Sequence, residues 1–329
     1  ANGAEMLAIT VRDDADRTLS WESAPDPIPR PGEVTVRVMA TAVNRADLLQ
    51  RAGRYAPPPG ASQIMGLECA GVVDSVGEGA DPELVGMRVA ALLSGGGYAE
   101  RVAVPAAHLL PIPDSMSFTR AAAIPEVFYT AYLNLCLEAD LRPGETVLIH
   151  AAASGVGTAA LQICRELGCP TIATASGAKL DKLGALGATH CVDRNNQSFE
   201  EVVAEVTERG ADVVLCPVGA DYLPRNIAAL APRGRLVVIG LLGGTHAELD
   251  LAKLLRQRLR VIGSVLRSRS IDEKTAITAH FLEQIWPWFE EGRLEPVVDR
   301  VMAIEDVAHA HELLRSNTTT GKVVLRLRG

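Results

Sequence analysis

The residues best suited to chemistry in this chain are small ones. Ala152-Ala153-Ser154-Gly155-Val156-Gly157 joins an apolar run, Thr146–Ala151, to the helical pattern Thr158–Cys164. A turn of this make-up suits the pyrophosphate of a dinucleotide. Small side chains let the backbone come close, and the free N–H groups and positive dipole end of the helix face the phosphates. A Gly-x-Gly alone occurs in many turns; its place between a buried strand and a helix gives it weight. The alternative is a tight strand–helix turn that binds nothing.

The end of the next run, Thr171–Thr174, bears on which dinucleotide is used. An NAD site would carry Asp or Glu there, about 20 residues past the turn, on the ribose hydroxyls. The sequence instead reads Thr174-Ala175-Ser176-Gly177-Ala178-Lys179. The Ser176 hydroxyl can bond a 2′-phosphate and Lys179 can pair with its charge, so NADPH is the expected cofactor. Gly240-Leu241-Leu242-Gly243-Gly244 closes a later run, and its backbone is expected to face the nicotinamide half.

Metal chemistry has no comparable pattern. Cys69, Cys136, Cys164, Cys169, Cys191 and Cys216 form no Cys-x-x-Cys pair and read as small buried hydrophobes. A disulfide framework is not expected. The histidines show no ligand spacing, and His309 and His311 read as part of a surface helix.

The elements that must position these residues fall into two rhythms. In the first third, Glu33–Val38, Cys69–Gly77, Gly86–Ala91 and Tyr98–Val104 read as short strands between Gly and Pro breaks, as in a small barrel. From about Pro125, continuous apolar runs alternate with helices: Val147–Ala151, Thr171–Thr174, His190–Asp193, Val213–Cys216, Leu236–Gly240 and Val261–Val265. Such runs imply a parallel sheet covered on both faces, and six of them fit a doubly wound α/β dinucleotide fold. After Arg267 come helix and then strand, Val323–Leu327, which is expected to return to the first domain. A length of 329 residues suits two domains. The net charge of −8 argues against nucleic acid and anionic lipid as partners. No apolar run spans a bilayer. Ala1–Met6 shows neither a basic region nor a hydrophobic core, so a cytoplasmic address is expected, with Met6 as a candidate natural start.

Asn44-Arg45-Ala46-Asp47-Leu48-Leu49-Gln50-Arg51-Ala52-Gly53-Arg54-Tyr55, followed by Pro57-Pro58-Pro59-Gly60, resembles the quinone oxidoreductase signature. Gly66–Gly71, Ala122–Pro125, Ala153–Ala160, Leu266–Arg269 and Gly321–Leu325 continue the likeness, which covers Met6 to Leu327. The chain is thus similar to the zinc-free quinone oxidoreductases of the medium-chain dehydrogenase/reductase superfamily, and most similar to their tumour-suppressor-inducible branch. The resemblance implies a GroES-like β-barrel domain over residues 1–124 and 268–329, and a six-stranded Rossmann NADP-binding domain over 125–267. It also implies an active cleft between the two and a homodimer joined through the last Rossmann strands. In the zinc-dependent relatives a Cys stands where this chain has Asn44, a His where it has Leu67, and a second Cys near Glu126. Neither Asn nor Leu replaces a thiolate or an imidazole, so metal-free catalysis is expected, with Glu68 a structural carboxylate.

By resemblance, Asn44, Tyr55 and Thr130 sit near the nicotinamide, where the Asn44 amide or the Tyr55 phenol can orient an acceptor carbonyl. The cofactor-binding set is Ala152, Ala153, Ser154, Gly155, Val156, Ser176, Lys179, Gly240, Leu241, Leu242, Leu266, Arg267 and Ser268. For Arg267 an interdomain salt bridge is the alternative. Asp193 belongs with the set but opposes it: relatives place a Tyr there, and a carboxylate beside a phosphate repels it unless Arg194 offsets the charge. The expected activity is hydride transfer from NADPH to a quinone. The alternatives are an enal or enoyl-thioester reductase and a cofactor-binding partner protein without turnover.

Overall fold

In a computed structural model, the structure describes residues 3–328; Ala1, Asn2 and Gly329 lie outside them. In chain order the strands are β1 (Glu5–Val11), β2 (Leu19–Pro25), β3 (Glu33–Ala42), β4 (Glu68–Val76), β5 (Arg88–Leu92), β6 (Arg101–Pro105), β7 (Leu109–Pro111), β8 (Val147–Ile149), β9 (Thr171–Ala175), β10 (His190–Asp193), β11 (Ala211–Cys216), β12 (Leu230–Val238), β13 (Arg260–Gly263), β14 (Val298–Ala303) and β15 (Lys322–Arg326). The chain divides into two compact units, Ala1–Val127 with Arg267–Gly329, and Phe128–Leu266.

The first unit is a GroES-like domain built on a seven-stranded sheet in the order β14-β15-β3-β4-β5-β7, with β6 also paired to β3, beside the two-stranded sheet β1-β2. Strand β3 is the hub, because it pairs antiparallel with β4, β6 and β15. Its inward side chains Val34, Val36 and Val38 meet Cys69, Val73, Val89, Val102 and Val104 in the core. The tail returns as expected: β15 lies beside β3, with Leu325 opposite Thr41. Helix Val307–Arg315 presents Val307, Ala310 and Leu314 to the same core. That stripe at helical spacing carries His311 inward. His311 is fully buried, which corrects its reading as part of a surface helix; His309 is exposed.

The second unit holds a parallel sheet in the order β10-β9-β8-β11-β12-β13. In order of appearance this is 3-2-1-4-5-6, the doubly wound dinucleotide topology. Its central strands are buried on both faces, which is why their sequences read as continuous apolar runs. Strand β8 stops at Ile149, two residues before its expected end. The backbone turns there, and Ala151 adopts a left-handed conformation (φ 49°) ahead of helix Gly155–Glu166.

His150 stands at this stop and is 2% exposed. Its Nε2–H donates to Asn226 Oδ1 (2.7 Å), while Nδ1 accepts from the Thr174 hydroxyl (2.9 Å). The rings of Phe199 and Tyr222 meet it edge-on, with centroids 4.5 and 4.7 Å away. Burial lowers its pKa from 6.5 to about 4, so the imidazole is neutral. A pKa below the unfolded value means that the unfolded chain takes up the proton first as pH falls. The stability that neutral His150 contributes is therefore complete above pH 6.5 and is lost toward pH 4. Urea unfolding of the wild type should steepen against pH in that window by up to about 1.4 kcal/mol per pH unit relative to His150→Gln. Equal slopes for the two proteins would remove His150 as the cause.

Candidate functional site

The first unit gathers its polar groups around one carboxylate. Glu68 opens β4 and is wholly buried. The β3–β15 register, Val324 opposite Ala42, continues outward to set Lys322 across from Asn44. Lys322 Nζ donates to Asn44 Oδ1 (2.6 Å) and to the Val43 carbonyl (3.0 Å), and lies 3.5 Å from Glu68 Oε1. Asn44 Nδ2 donates to Glu68 Oε2 at 3.4 Å, and the Glu126 backbone N–H donates to the same oxygen at 3.0 Å. The carboxylate thus faces the opening turn of helix Pro125–Tyr132, where the dipole favours negative charge. Burial raises the Glu68 pKa, against the pull of Lys322. Half-buried Glu126 is pushed up to about 8 by burial and by the Glu68 charge.

A second buried set supports the first. Asn44 caps helix Arg45–Arg51, and Asp47 closes the capping box by accepting from the Asn44 N–H (2.8 Å). Asp47 also accepts from Gly66 N (3.2 Å) and from the Tyr98 hydroxyl (2.9 Å). Tyr98 lies 3.2 Å from His311 Nε2. Burial pushes His311 down to about 3, so its imidazole is neutral. The approach at Gly66 needs glycine. At φ +106° a Cβ would fall 2.6 Å from Gly97 Cα and from the Tyr98 N–H.

The loop after helix Arg45–Arg51 carries Tyr55, which is half-buried. The Arg267 guanidinium carbon sits 5.0 Å from the centre of its ring. Burial raises the Tyr55 pKa, while Arg267 works in the other direction. Arg267 Nε donates to the Ser94 carbonyl (2.9 Å) and Nη2 to Gln50 Oε1 (2.7 Å). It makes no ion pair among the described residues. This part of the first unit thus unites Asn44, Glu68, Lys322 and Glu126, and separately Tyr55 and Arg267. Thr130 belongs to the second unit, where its carbonyl accepts from Asn134 Nδ2 (2.8 Å).

Among the described residues no group of three or more His, Cys, Asp or Glu could hold a metal ion. At the place in question the chain offers an amide, an aliphatic Leu67 and a carboxylate already engaged by lysine. This donor set does not fit zinc.

The second unit builds the turn that a dinucleotide requires. Ser154 caps helix Gly155–Glu166, its Oγ accepting from Gly157 N (3.1 Å). Ala152 and Ala153 are buried, Ser154 is exposed, and Gly155 and Val156 are half-buried. A Cβ at Gly157 would come within 2.5 Å of the Ala151 carbonyl and Ala152 Cα, so only glycine lets the helix pack this close to the strand. Ser176 and Lys179 frame a short turn at the end of β9. The neighbouring strand β10 brings Asp193 to that turn. A Cβ on Gly177 would lie 2.5 Å from Asp193 Oδ2. Hydrogen bonds from the Asn196 amide and the Asn195 N–H hold this carboxylate below its usual pKa. An acid thus lies beside this turn, on the neighbouring strand and not on β9 itself. Leu241 and Leu242 are exposed at 55% and 58%, Gly240 is half-buried, Leu266 is buried and Ser268 exposed.

Sequence reasoning missed Lys322, Asp47 and Tyr98. Lys322 carried a signal, a lysine opening the apolar run Val323–Leu325. Tyr98 carried none, since its partners lie 51 and 213 residues away.

Residues 30–114 match the alcohol dehydrogenase GroES-like domain family, and residues 186–325 match the zinc-binding dehydrogenase family. The chain is 34% identical to the synaptic vesicle membrane protein VAT-1 homolog of Rattus norvegicus over 93% of its own length and 80% of that relative's. A solved quinone oxidoreductase of Pseudomonas syringae pv. Tomato DC3000 is similar at 30% identity and TM-score 0.85, over 98% of this chain and 100% of that one. The CurK enoyl reductase is similar at 28% identity and TM-score 0.87, over 99% of this chain and 100% of that one. No helix among the described residues is long and apolar enough to cross a membrane.

Because Lys322 is the cation beside a wholly buried carboxylate, Lys322→Met should cost about 3–5 kcal/mol of stability, measured by denaturant unfolding. Adding Glu68→Gln to that variant should recover part of the loss. A double variant no more stable than Lys322→Met would show that the two side chains are not coupled.

Proposed function

Given that the chain belongs to the medium-chain dehydrogenase/reductase family of oxidoreductases, whose members bind a nicotinamide cofactor, we propose that it is a zinc-independent NADPH:quinone reductase. The observation that carries this reading is the donor set at Asn44, Leu67 and Glu68. It offers hydrogen bonds where zinc-dependent chemistry needs thiolate and imidazole. A quinone is electrophilic enough to accept hydride with hydrogen bonds alone.

The bound nicotinamide supplies the hydride. Ala152, Ala153, Ser154, Gly155 and Val156 hold the pyrophosphate on the helix N–H groups. Ser176 and Lys179 take the 2′-phosphate. Gly240, Leu241, Leu242, Leu266 and Ser268 line the nicotinamide half. Asn44, Tyr55 and Thr130 orient the acceptor. Lys322 holds the Asn44 amide oxygen, which fixes which end of that amide donates. Strand β13 lies at the sheet edge with Val261 exposed at 40%, and Val265 just beyond its end is exposed at 57%, which supports a homodimer formed by pairing of these strands.

Glu126 favours a second reading, reduction of an activated double bond in an enal or enoyl thioester. That reaction ends with a proton delivered to carbon, and Glu126, with its pKa near 8, is an acid that still holds its proton at neutral pH.

Stopped-flow oxidation of NADPH and NADH against ortho-quinones, para-quinones and enoyl thioesters tests both readings. Quinone turnover with NADPH is expected. Tight nucleotide binding with no oxidation by any acceptor would end the enzyme reading. Lys179→Ala should weaken NADPH by up to about fivefold and leave NADH alone, the size of an exposed charge pair. Asp193→Asn should strengthen NADPH to a similar degree. Equal binding of the two nucleotides by the wild type would dismiss the role given to Ser176 and Lys179. If Glu126 is the proton donor, kcat with an enoyl acceptor falls above about pH 8, and Glu126→Gln flattens that limb. A limb unchanged in the variant would assign the proton to another group.

A further inference from the structure

The first unit contains a cavity of about 450 Å³, lined by Pro58, Ser94, Gly95, His108, Arg267 and Lys274 among others. Its charge is one-sided. Arg30, Arg101, Arg269, Arg267 and Lys274 contribute to the wall, and Glu33 is the only acid among the lining residues. Arg267 and Lys274 are 5% and 6% exposed, and among the described residues neither has a carboxylate within ion-pair distance. Longer-range attraction, from Glu126 on both and from Tyr55 and Asp47 on Arg267, offsets these two buried cations only in part, and burial remains the larger effect on each.

Their donors are also unspent. Arg267 uses Nε on the Ser94 carbonyl and Nη2 on Gln50, and its buried Nη1 has no acceptor. Lys274 Nζ donates to Ser94 Oγ and to the Arg267 carbonyl, both at 2.6 Å, leaving one of its three hydrogens. Ser94 thus draws both head groups to one point on the cavity wall. His108 adds no charge, because burial lowers its pKa, and its Nε2 is taken up by Thr275 and the Ile271 carbonyl.

We propose that this cavity binds an oxyanion, a carboxylate, sulfonate or phosphate carried by the acceptor, on Arg267 Nη1 and Lys274 Nζ. The guanidinium that would hold the anion also lies over the Tyr55 ring, so the same side chain connects the anion with the residue that orients the reacting carbonyl. The preferred acceptors are therefore electrophiles with an acidic group on the far side from the carbonyl or double bond. The assignment rests on the reading that the acceptor sits beside Tyr55.

The test compares 1,2-naphthoquinone with 1,2-naphthoquinone-4-sulfonate under saturating NADPH, and measures binding of the sulfonate and of inorganic phosphate calorimetrically without cofactor. The wild type should show a KM about tenfold lower for the sulfonate, the size of one charge-assisted hydrogen bond. Lys274→Met should abolish that preference and Lys274→Arg should retain it, with thermal melting used to confirm that both variants fold. Equal KM values for the two quinones, with no sulfonate binding by calorimetry, would overturn the proposal. Phosphate binding as tightly as the sulfonate, without a KM advantage, would make this a free-anion site and overturn the acceptor assignment. Arg267→Met losing NADPH affinity as much as sulfonate affinity would give the guanidinium to the cofactor and overturn it too. Sulfonate binding that depends on Lys274 without reduction of either quinone would leave the anion site standing and dismiss the quinone reading instead.

Discussion

A carboxylate with no access to water must be matched by donors and positive charge, and Glu68 is such a carboxylate. Its partners come from three other stretches of chain: Asn44, the Glu126 N–H and Lys322. Meeting that single demand fixes where helix Arg45–Arg51 begins, where helix Pro125–Tyr132 begins, and where β15 must lie against β3. The return of the last sixty-odd residues to the first unit is therefore an electrostatic requirement as well as a matter of apolar packing. The amide proposed to face the acceptor is oriented as a by-product, because Lys322 engages its oxygen and the Glu68 carboxylate receives its N–H.

Behind it, Asp47, Tyr98 and His311 form a second buried polar set. Asp47 spends both oxygens on donors, and the neutral His311 faces Tyr98. Both layers hold the same turn, since Asp47 closes the box that Asn44 opens. Substitution in the deeper layer is thus expected to act on the site through the position of Asn44 rather than through contact with any ligand.

The parts legible in the sequence are those governed by local rules. The phosphate turn could be read because glycine placement and strand–helix order are local properties, and the doubly wound sheet because strands buried on both faces must be apolar throughout. The return of β15 was legible from its isolation. Strand β14 is not legible because its side chains are mixed and are half-buried or exposed. The burial of His311 was in fact legible: Val307, Ala310, His311 and Leu314 fall on one helical stripe, which the eye misses when it sees only two histidines. The pairings of Lys322 with Glu68 and of Arg267 with Ser94 were not legible, because register and loop packing over some 170 to 250 residues decide them.

The contrast between the two units bears on what evolves easily. The groups that would discriminate NADPH from NADH, Lys179 and Asp193, lie on surface turns, where solvent and salt screen charges to a kilocalorie or less. On the proposed assignment their opposition would keep the preference for NADPH modest, and one substitution could widen or reverse it. The charges of the first unit lie in a low dielectric, where each is worth several times more and each is tied to the placement of a strand or helix. Changing one of them disturbs the barrel before it alters selectivity. The constraint on the acceptor side is therefore structural, and it explains how a site without metal ligands can still keep a buried glutamate and lysine in fixed positions.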